Sequence, residues 1–464
     1  MKTLEKFTLY SFCLLLIWMP IPLGSNRAWA WSIAEIWIAI QTIALLVIYH
    51  KELPWSKLKS FVWLLVPLGI FQLWVLIQTL PLSSAIVSFV SPNAAELYAL
   101  VEASNFFISL DHRMTHTSLL RGVSLWLFLF NAILLLNTPN RLKYAVLAVV
   151  ISGTLQAFYG VLMVLLNVTQ SPVFGYPEKG IATGSFVYKN HLANYVMLSL
   201  SMGLGLIVTQ LHISESGSWF VRIRRVLEGI LSSKMLVRLA LIIMVIALVM
   251  TRSRMGNTAF FSATTVGGIL ALFFYKNKPR ALTALVISVI AIDTFAVGAL
   301  FGLDKVKQRM VETSLQQETR DQVVIWSLDI IKDYPLTGTG MATFYTVFPG
   351  YSKADIGFYD HAHNDYIQFA VEAGLPATLL LGLMVSYSLW LCLMTIRLRN
   401  SRTMKGLALG SLMAIIGMLI HTSVDFNLQP MANALTFIFI LFIAHASATM
   451  PIQKIIRSDE SRDV

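Results

Sequence analysis

Long apolar runs without charged residues recur along nearly the whole chain. Twelve of these runs approach the roughly 20 residues with which a helix crosses the hydrocarbon core of a bilayer. They cover residues 7–23, 32–49, 60–79, 119–137, 143–166, 191–210, 235–251, 256–275, 281–302, 369–394, 404–424 and 433–450. The pattern predicts an all-α polytopic membrane protein with about 12 transmembrane helices.

The composition agrees with this prediction and excludes a soluble globular protein. Of 464 residues, 56% are hydrophobic and 13% are charged, whereas soluble domains average about half and about a quarter. The mean hydropathy is +0.69. We therefore expect the lipid bilayer to be the protein's main surroundings.

The distribution of basic residues predicts the orientation of the chain. The net charge of +11 comes from small groups of Lys and Arg between the apolar runs, which does not suggest a nucleic-acid partner. Twenty-two of 35 fall on the face of the two termini and seven in the shorter loops of the other face, so the termini are expected in the cytoplasm. We divide the chain into N-terminal helices 1–180, a membrane domain 181–450 with a long periplasmic loop at 303–368, and a short cytoplasmic tail 451–464.

Two polar clusters lie at the predicted outer ends of spans. Lys189 and Asn190 precede the sixth span; a Lys that extends to the interface and an Asn that caps a helix would explain them equally well. Arg252 and Arg254 lie in a very short outer hairpin. They can extend to lipid phosphates, or they can form a guanidinium pair for a phosphorylated ligand.

The long loop contains a predicted helix that starts near Arg320. Val323, Trp326 and Ile330 recur at helical spacing, which suggests a helix lying on the bundle or on the membrane surface. The segment 337–340 reads Thr-Gly-Thr-Gly and lacks the Lys-Ser/Thr of a phosphate-binding loop, so a turn is expected there. For Arg320, a surface salt bridge is the alternative to ligand binding.

The densest group of titratable residues is Asp360-His-Ala-His-Asn-Asp365, directly before the tenth span. A metal site through His361 and His363 is one interpretation, and a solvated helix cap is another. Neither HExxH nor a Cys ligand accompanies the histidines. We favour general-base chemistry by a histidine, because a neutral imidazole can accept a proton near pH 7.

These residues resemble the bacterial O-antigen ligase and O-antigen polymerase superfamily over about 180–445. The most specific motif is His363-Asn364, nine residues, then Gly374; Ala377 replaces the second glycine of the family pattern. Weaker matches are Ser253-Arg254, Gly184-Ser-Phe with Asn190, Arg320 with Trp326 and Pro335, and His421 with Asp425.

The resemblance implies a glycosyltransferase of the helical C type in the bacterial inner membrane. It would transfer a glycan from a polyprenyl-diphosphate carrier to an acceptor hydroxyl at the periplasmic face. Loss of a diphosphate requires stabilisation of its growing negative charge, which arginines can provide without a metal or cofactor. We assign His363 as the base and Arg254 and Arg320 as diphosphate ligands. Secondary candidates are Arg252, Lys189, Asn190 and His361, with Asn364 and Asp425 in support.

Three other functions stay open at this point. A polymerase that joins lipid-linked repeat units uses the same donor, and only the acceptor distinguishes it from a ligase that modifies lipid A core. A relative that glycosylates a pilin-like protein is a third enzyme. A transporter of the lipid-linked sugar is disfavoured, because the predicted spans carry few ionisable groups and show no repeated halves.

Overall fold

The computed structural model describes residues 1–177, 180–210, 233–276, 278–280, 282–284, 286–288, 291 and 315–451. Most of the predicted ninth span (281–302), the first part of the long loop and nearly all of the predicted tail lie outside these residues. The described chain is helical and has no strands, which confirms the all-α prediction.

The helices fall into a bundle and a smaller group outside it. They are α1 (Lys2–Trp18), α2 (Ala28–Ile48), α3 (Trp55–Lys59), α4 (Val62–Thr79), α5 (Ser84–Val90), α6 (Pro92–Leu100), α7 (His112–Leu135), α8 (Pro139–Leu165), α9 (Lys189–Thr209), α10 (Ser233–Met250), α11 (Arg254–Phe274), α12 (Leu315–Asp333), α13 (Phe344–Val347), α14 (Asp365–Ala373), α15 (Leu375–Leu398), α16 (Arg402–Thr422) and α17 (Met431–Thr449).

Within the described residues, nine helices are long and apolar enough to cross a membrane. They are α2, α4, α7, α8, α9, α11, α15, α16 and α17. Helices α1 and α10 also coincide with predicted spans but are not among these nine. The protein is therefore polytopic, as the apolar runs predicted.

The centre of the bundle is formed by α9, α16 and α17. These helices are the most deeply buried of the nine, and α9 approaches α16 where glycines face each other. A Cβ on Gly205 would lie 2.7 Å from the carbonyl oxygen of Gly406 and 2.9 Å from the Cα of Gly410. The absence of side chains at these positions lets the two backbones pack closely.

A second hydrophobic core lies at one end of the bundle. It joins the hairpin of α5 and α6 to one face of α12 and to the segment after it. Its buried members include Val87, Ala94, Val323, Trp326 and Phe344. The helix predicted around Trp326 is confirmed, and its apolar face packs on this core. Residues 84–100, for which the sequence analysis predicted no function, contribute to the same hydrophobic core.

The predicted tenth span, 369–394, is not one continuous helix. The chain forms α14, breaks at Gly374 and continues as α15. Gly374 has φ 82°, and a Cβ there would lie 2.3 Å from the carbonyl oxygen of Leu336. A side chain at this position would therefore be strained and also obstructed. The break separates a nine-residue helix at the bundle end from the membrane helix that follows.

Candidate functional site

His363 is held at the start of α14 by the residue that follows it. The side chain of Asn364 accepts a hydrogen bond from the backbone N–H of Ile367 (3.2 Å), which caps the helix, and donates to the carbonyl oxygen of Ser423 (2.8 Å). Asn364 thus fastens the N-terminus of α14 to the connection between α16 and α17. The nine residues between Asn364 and Gly374 in the motif are the whole of this helix.

Asp425 lies beside His363 in that connection. Its Oδ1 is 3.8 Å from His363 Nδ1, and only 13% of the His363 side chain and 2% of the Asp425 side chain are exposed. Burial raises the pKa of Asp425, but the nearby imidazoles, His363 first among them, outweigh burial and hold it below its ordinary value. The carboxylate is therefore ionised and can stabilise positive charge on the His363 ring.

Asn190 contributes to the same group instead of capping α9. Its side-chain amide donates to Asp425 Oδ2 and to the hydroxyl of Tyr188 (2.8 Å). Helix α9 begins without a side-chain cap, so the capping interpretation of Asn190 is wrong. The amide links the buried carboxylate to the cationic part of the site.

Phe426 brings the aromatic side chains of the site together. The centroid of its ring lies 4.5 Å from that of His361, 4.7 Å from His363 and 4.9 Å from His191. Tyr188 stacks on it at 5.7 Å. A single phenylalanine in a polar loop carries no sequence signal for this role, because its partners come from distant parts of the chain.

His361 faces a different set of partners from His363. The Gln368 amide donates to His361 Nδ1 (2.9 Å) and to Glu372 Oε1 (3.1 Å). Burial lowers the pKa of His361 to about 4, so the ring is neutral near pH 7. His361 therefore forms part of the wall of the site, while His363 is the imidazole beside a buried carboxylate.

Glu372 fixes the turn that the sequence predicted at 337–340. Its carboxylate accepts hydrogen bonds from the backbone N–H groups of Ala342 (2.9 Å) and Phe344 (3.3 Å). The N–H of Gly340 donates to the Glu372 carbonyl oxygen (2.9 Å). Burial raises the pKa of Glu372 to about 7. The glycine segment is thus a turn bonded to α14, which explains its small residues without a phosphate ligand.

The four cations expected to bind diphosphate are brought together. Arg252 lies in the turn between α10 and α11, and Arg254 begins α11. Lys189 begins α9, and Arg320 lies in the second turn of α12. The charges of all three arginines act on the Lys189 ammonium group. Within the described residues, none of the four forms an ion pair, and both Arg252 and Arg254 are exposed.

Backbone and side-chain bonds fix the arginine turn. Ser253 caps α11 by accepting a hydrogen bond from the N–H of Gly256 (3.2 Å), and Asn257 donates back to the Ser253 carbonyl oxygen (2.7 Å). Arg252 adopts φ 50°, a left-handed conformation that is uncommon for a residue with a side chain. The two guanidinium groups are thus presented by a constrained turn.

Tyr188 is a site residue that the sequence analysis did not single out. Its hydroxyl accepts hydrogen bonds from Arg320 Nη2 (3.2 Å) and from Asn190. Burial raises its pKa, and the nearby Asp425 raises it further, so the hydroxyl keeps its proton and can donate to a ligand. Arg320, which the sequence analysis expected as a ligand or as part of a surface salt bridge, donates to this interior hydroxyl.

Comparison with known proteins agrees with the resemblance drawn from the motifs. Residues 239–382 match the family model described as O-antigen ligase. The matched segment includes His363 and the three arginines, whereas Lys189 and Asp425 lie outside it. No curated protein matches the chain. The match over residues 239–382 supports the resemblance of the chain to the superfamily of O-antigen ligases and polymerases.

Proposed function

We propose that this protein transfers a glycan from a polyprenyl-diphosphate carrier to an acceptor hydroxyl at the periplasmic face of the bacterial inner membrane. The observation that carries the proposal is one juxtaposition. An imidazole beside a buried carboxylate, His363 with Asp425, is linked through Asn190 and Tyr188 to a group of four cations that form no ion pair with any residue the structure describes. A base and an anion site at one place are what this reaction requires.

His363 is the general base in this proposal. Its Nδ1 faces Asp425, so Nε2 is the nitrogen that accepts the proton of the acceptor hydroxyl. The acceptor oxygen then forms a bond to the anomeric carbon of the donor sugar. Asp425 stabilises the resulting imidazolium, in the way a carboxylate supports an imidazole base in hydrolases.

The cations receive the leaving group. As the bond from the anomeric carbon to the diphosphate oxygen breaks, its electron pair stays on the diphosphate, whose charge grows. Arg254 and Arg320, with Arg252 and Lys189, stabilise that charge. Attack from the side opposite the diphosphate would invert the anomeric carbon. The cationic residues supply the electrostatic stabilisation, and we expect transfer to be unaffected by a chelator.

The test is transfer by the purified protein from a polyprenyl-diphosphate-linked glycan, with His363→Ala as the variant. We expect at least a hundredfold loss, since a positioned base contributes about 10²–10⁴-fold. His116→Ala, an exposed histidine in α7, is the matched control. Near-normal transfer by His363→Ala in correctly inserted protein would contradict the proposal, as would abolition by chelator. The length of the product distinguishes ligase from polymerase.

A further inference from the structure

The short helix α5 starts near the end of one membrane helix and ends beside the start of another. Helix α4 ends at Thr79, and α5 begins a few residues later. At the other end of α5, the hydroxyl of Ser91 accepts a hydrogen bond from the hydroxyl of Thr337 (3.2 Å). The N–H of Leu375, the first residue of α15, donates to the carbonyl oxygen of Pro335 (2.9 Å). Helix α5 therefore connects the end of α4 with the region where α15 starts.

The two membrane helices meet at the same end of the bundle. The side-chain amide of Gln78, in the last turn of α4, donates to the carbonyl oxygens of Thr337 (2.8 Å) and Glu372 (3.0 Å). Both ends of α5 are thus tied to the bundle end that carries α14 and the candidate site. A short helix held at both ends in this way lies along the bundle end, at the level where α4 and α15 leave the bilayer.

The outward surface of α5 is apolar and uncharged. Among the residues of α5, all of which the structure describes, only Val87 is buried. Phe89 is 87% exposed and Ile86 is 49% exposed. The sequence contains no charged residue between Lys59 and Glu96. An exposed aromatic ring and an aliphatic side chain on an uncharged helix are typical of segments that lie at the boundary between head groups and acyl chains.

The apolar surface of α5 continues into the lipid-facing surface of α15. Leu375, Leu379 and Leu383 recur every four residues along one face of α15 and are 43%, 65% and 69% exposed. Helix α15 is long and apolar enough to cross a membrane, so this face contacts lipid. Leu336 is 65% exposed and lies beside Thr337, between this face and α5. One apolar surface therefore extends from the membrane helix to α5.

The other helix of the hairpin, α6, faces a more polar surface. It forms one wall of a groove of about 760 Å³, whose other wall is the segment after α12. The groove contains Glu96, Asp333 and Tyr351 together with apolar side chains, and Gly350 also lines it. Carboxylates belong in water. The hairpin thus has an apolar side along α5 and a water-filled groove along α6.

We infer that α5 is an interfacial helix whose Phe89 and Ile86 side chains bind among phospholipids at the head-group boundary of the leaflet nearest the candidate site. Phospholipid is the occupant that the surface fits, because the same surface continues along a membrane helix. A protein partner that covered α5 would have to displace lipid from Leu336 and from α15. The inference goes beyond the proposed function, since it requires no glycan and no transfer.

The contact would also fix the position of α12 relative to the bilayer. Val87 of α5 belongs to the same hydrophobic core as Val323 and Trp326 of α12. Arg320 lies about one turn before Val323 in that helix. A hairpin anchored in the lipid interface therefore holds α12, and the guanidinium group that α12 carries, at a constant height above the membrane.

Nitroxide labels on single cysteines test the depth of α5 in the membrane. The full chain, with Cys13→Ser and Cys392→Ser, is placed in vesicles of phosphatidylethanolamine and phosphatidylglycerol. Molecular oxygen concentrates in hydrocarbon and a neutral nickel chelate stays in water, so the ratio of their effects on the label reports depth. Phe89→Cys is the test position, and Leu379→Cys is the lipid reference. Gly350→Cys is the matched water-facing control, because a Cβ there meets nothing within 4 Å.

We expect the ratio of oxygen to nickel accessibility at Phe89→Cys to exceed that at Gly350→Cys several-fold and to approach that at Leu379→Cys. If Phe89→Cys inserts poorly, Ile86→Cys, one helical turn earlier, should give the same result. Equal ratios on α5 and at Gly350→Cys would overturn the inference. Low accessibility to both reagents would also overturn it, because a second copy of the chain or another protein would then cover α5.

Discussion

The pairing of Asp425 with His363 makes a quantitative prediction for Asp425→Asn. The two side chains lie 3.8 Å apart. A negative charge at that distance stabilises an imidazolium by about 4 kcal/mol at an effective dielectric constant of 20 and by about 1 kcal/mol at 80. The loss of that stabilisation in the transition state corresponds to a decrease in kcat between about fivefold and a thousandfold. Because the carboxylate is almost completely buried, we expect the upper part of this range. The assay is glycan transfer by the purified Asp425→Asn protein, with kcat determined at saturating donor and acceptor.

The control is Asp360→Asn, which removes a carboxylate 3.9 Å from the other imidazole of the segment, that of His361. The side chain of Asp360 is 60% exposed, so its charge is screened and a change below about threefold is expected. If Asp425→Asn retained its rate within twofold, Asp425 would not act on the His363 ring. Equal losses in the two variants would point to a general effect of negative charge near the site.

Three further predictions concern the framework of the site. Gly374→Ala should lower stability by about 3 kcal/mol or more, because it combines φ 82° with a backbone obstruction; thermal unfolding in detergent checks this, with Gly382→Ala as the unobstructed control. Burial raises the pKa of Glu372 from 4.5 to about 7, so between these pH values the folded state binds more protons than the unfolded state. The free energy of unfolding should therefore fall by about 3 kcal/mol in total as the pH rises through this range. Glu372→Gln should flatten that dependence, and an unchanged slope of melting temperature against pH would contradict the assignment. Tyr188→Phe removes the acceptor of Arg320 and should raise donor KM by about three- to tenfold with little change in kcat; a fall in kcat alone would place Tyr188 in the chemical step.

Local patterns predicted the parts of the site that local structure determines. The spacing from Asn364 to Gly374 proved to be a capped helix of nine residues, and the short arginine hairpin proved to be a three-residue turn between α10 and α11. Helix caps and turns depend on residues close in sequence, so local sequence patterns are enough to predict them. The His363 motif was visible for this reason.

Packing between distant elements produced the features that the sequence did not predict. Arg121 is one of the seven basic residues that the charge pattern assigned to the shorter outer loops, but it lies within α7 against a cavity that five helices enclose. Phe426 and Tyr188 meet across more than 230 positions. The break in the tenth span had a local signal, since Gly374 is followed by Pro376 in the first turn of α15. The apolar run is continuous across this break, so hydropathy predicted a single helix.

The positions of the cationic residues in their helices favour the binding of an anion at the proposed site. Lys189 begins α9, Arg254 begins α11 and Arg320 lies in the second turn of α12, while His363 directly precedes the cap of α14. The N-terminal end of a helix carries partial positive charge and unpaired N–H groups. Helix ends and side chains therefore add their fields at one place, so the positive potential does not depend on a single guanidinium. A diphosphate bound there would be held by the group as a whole, and His363 would lie at its edge, where the acceptor must approach.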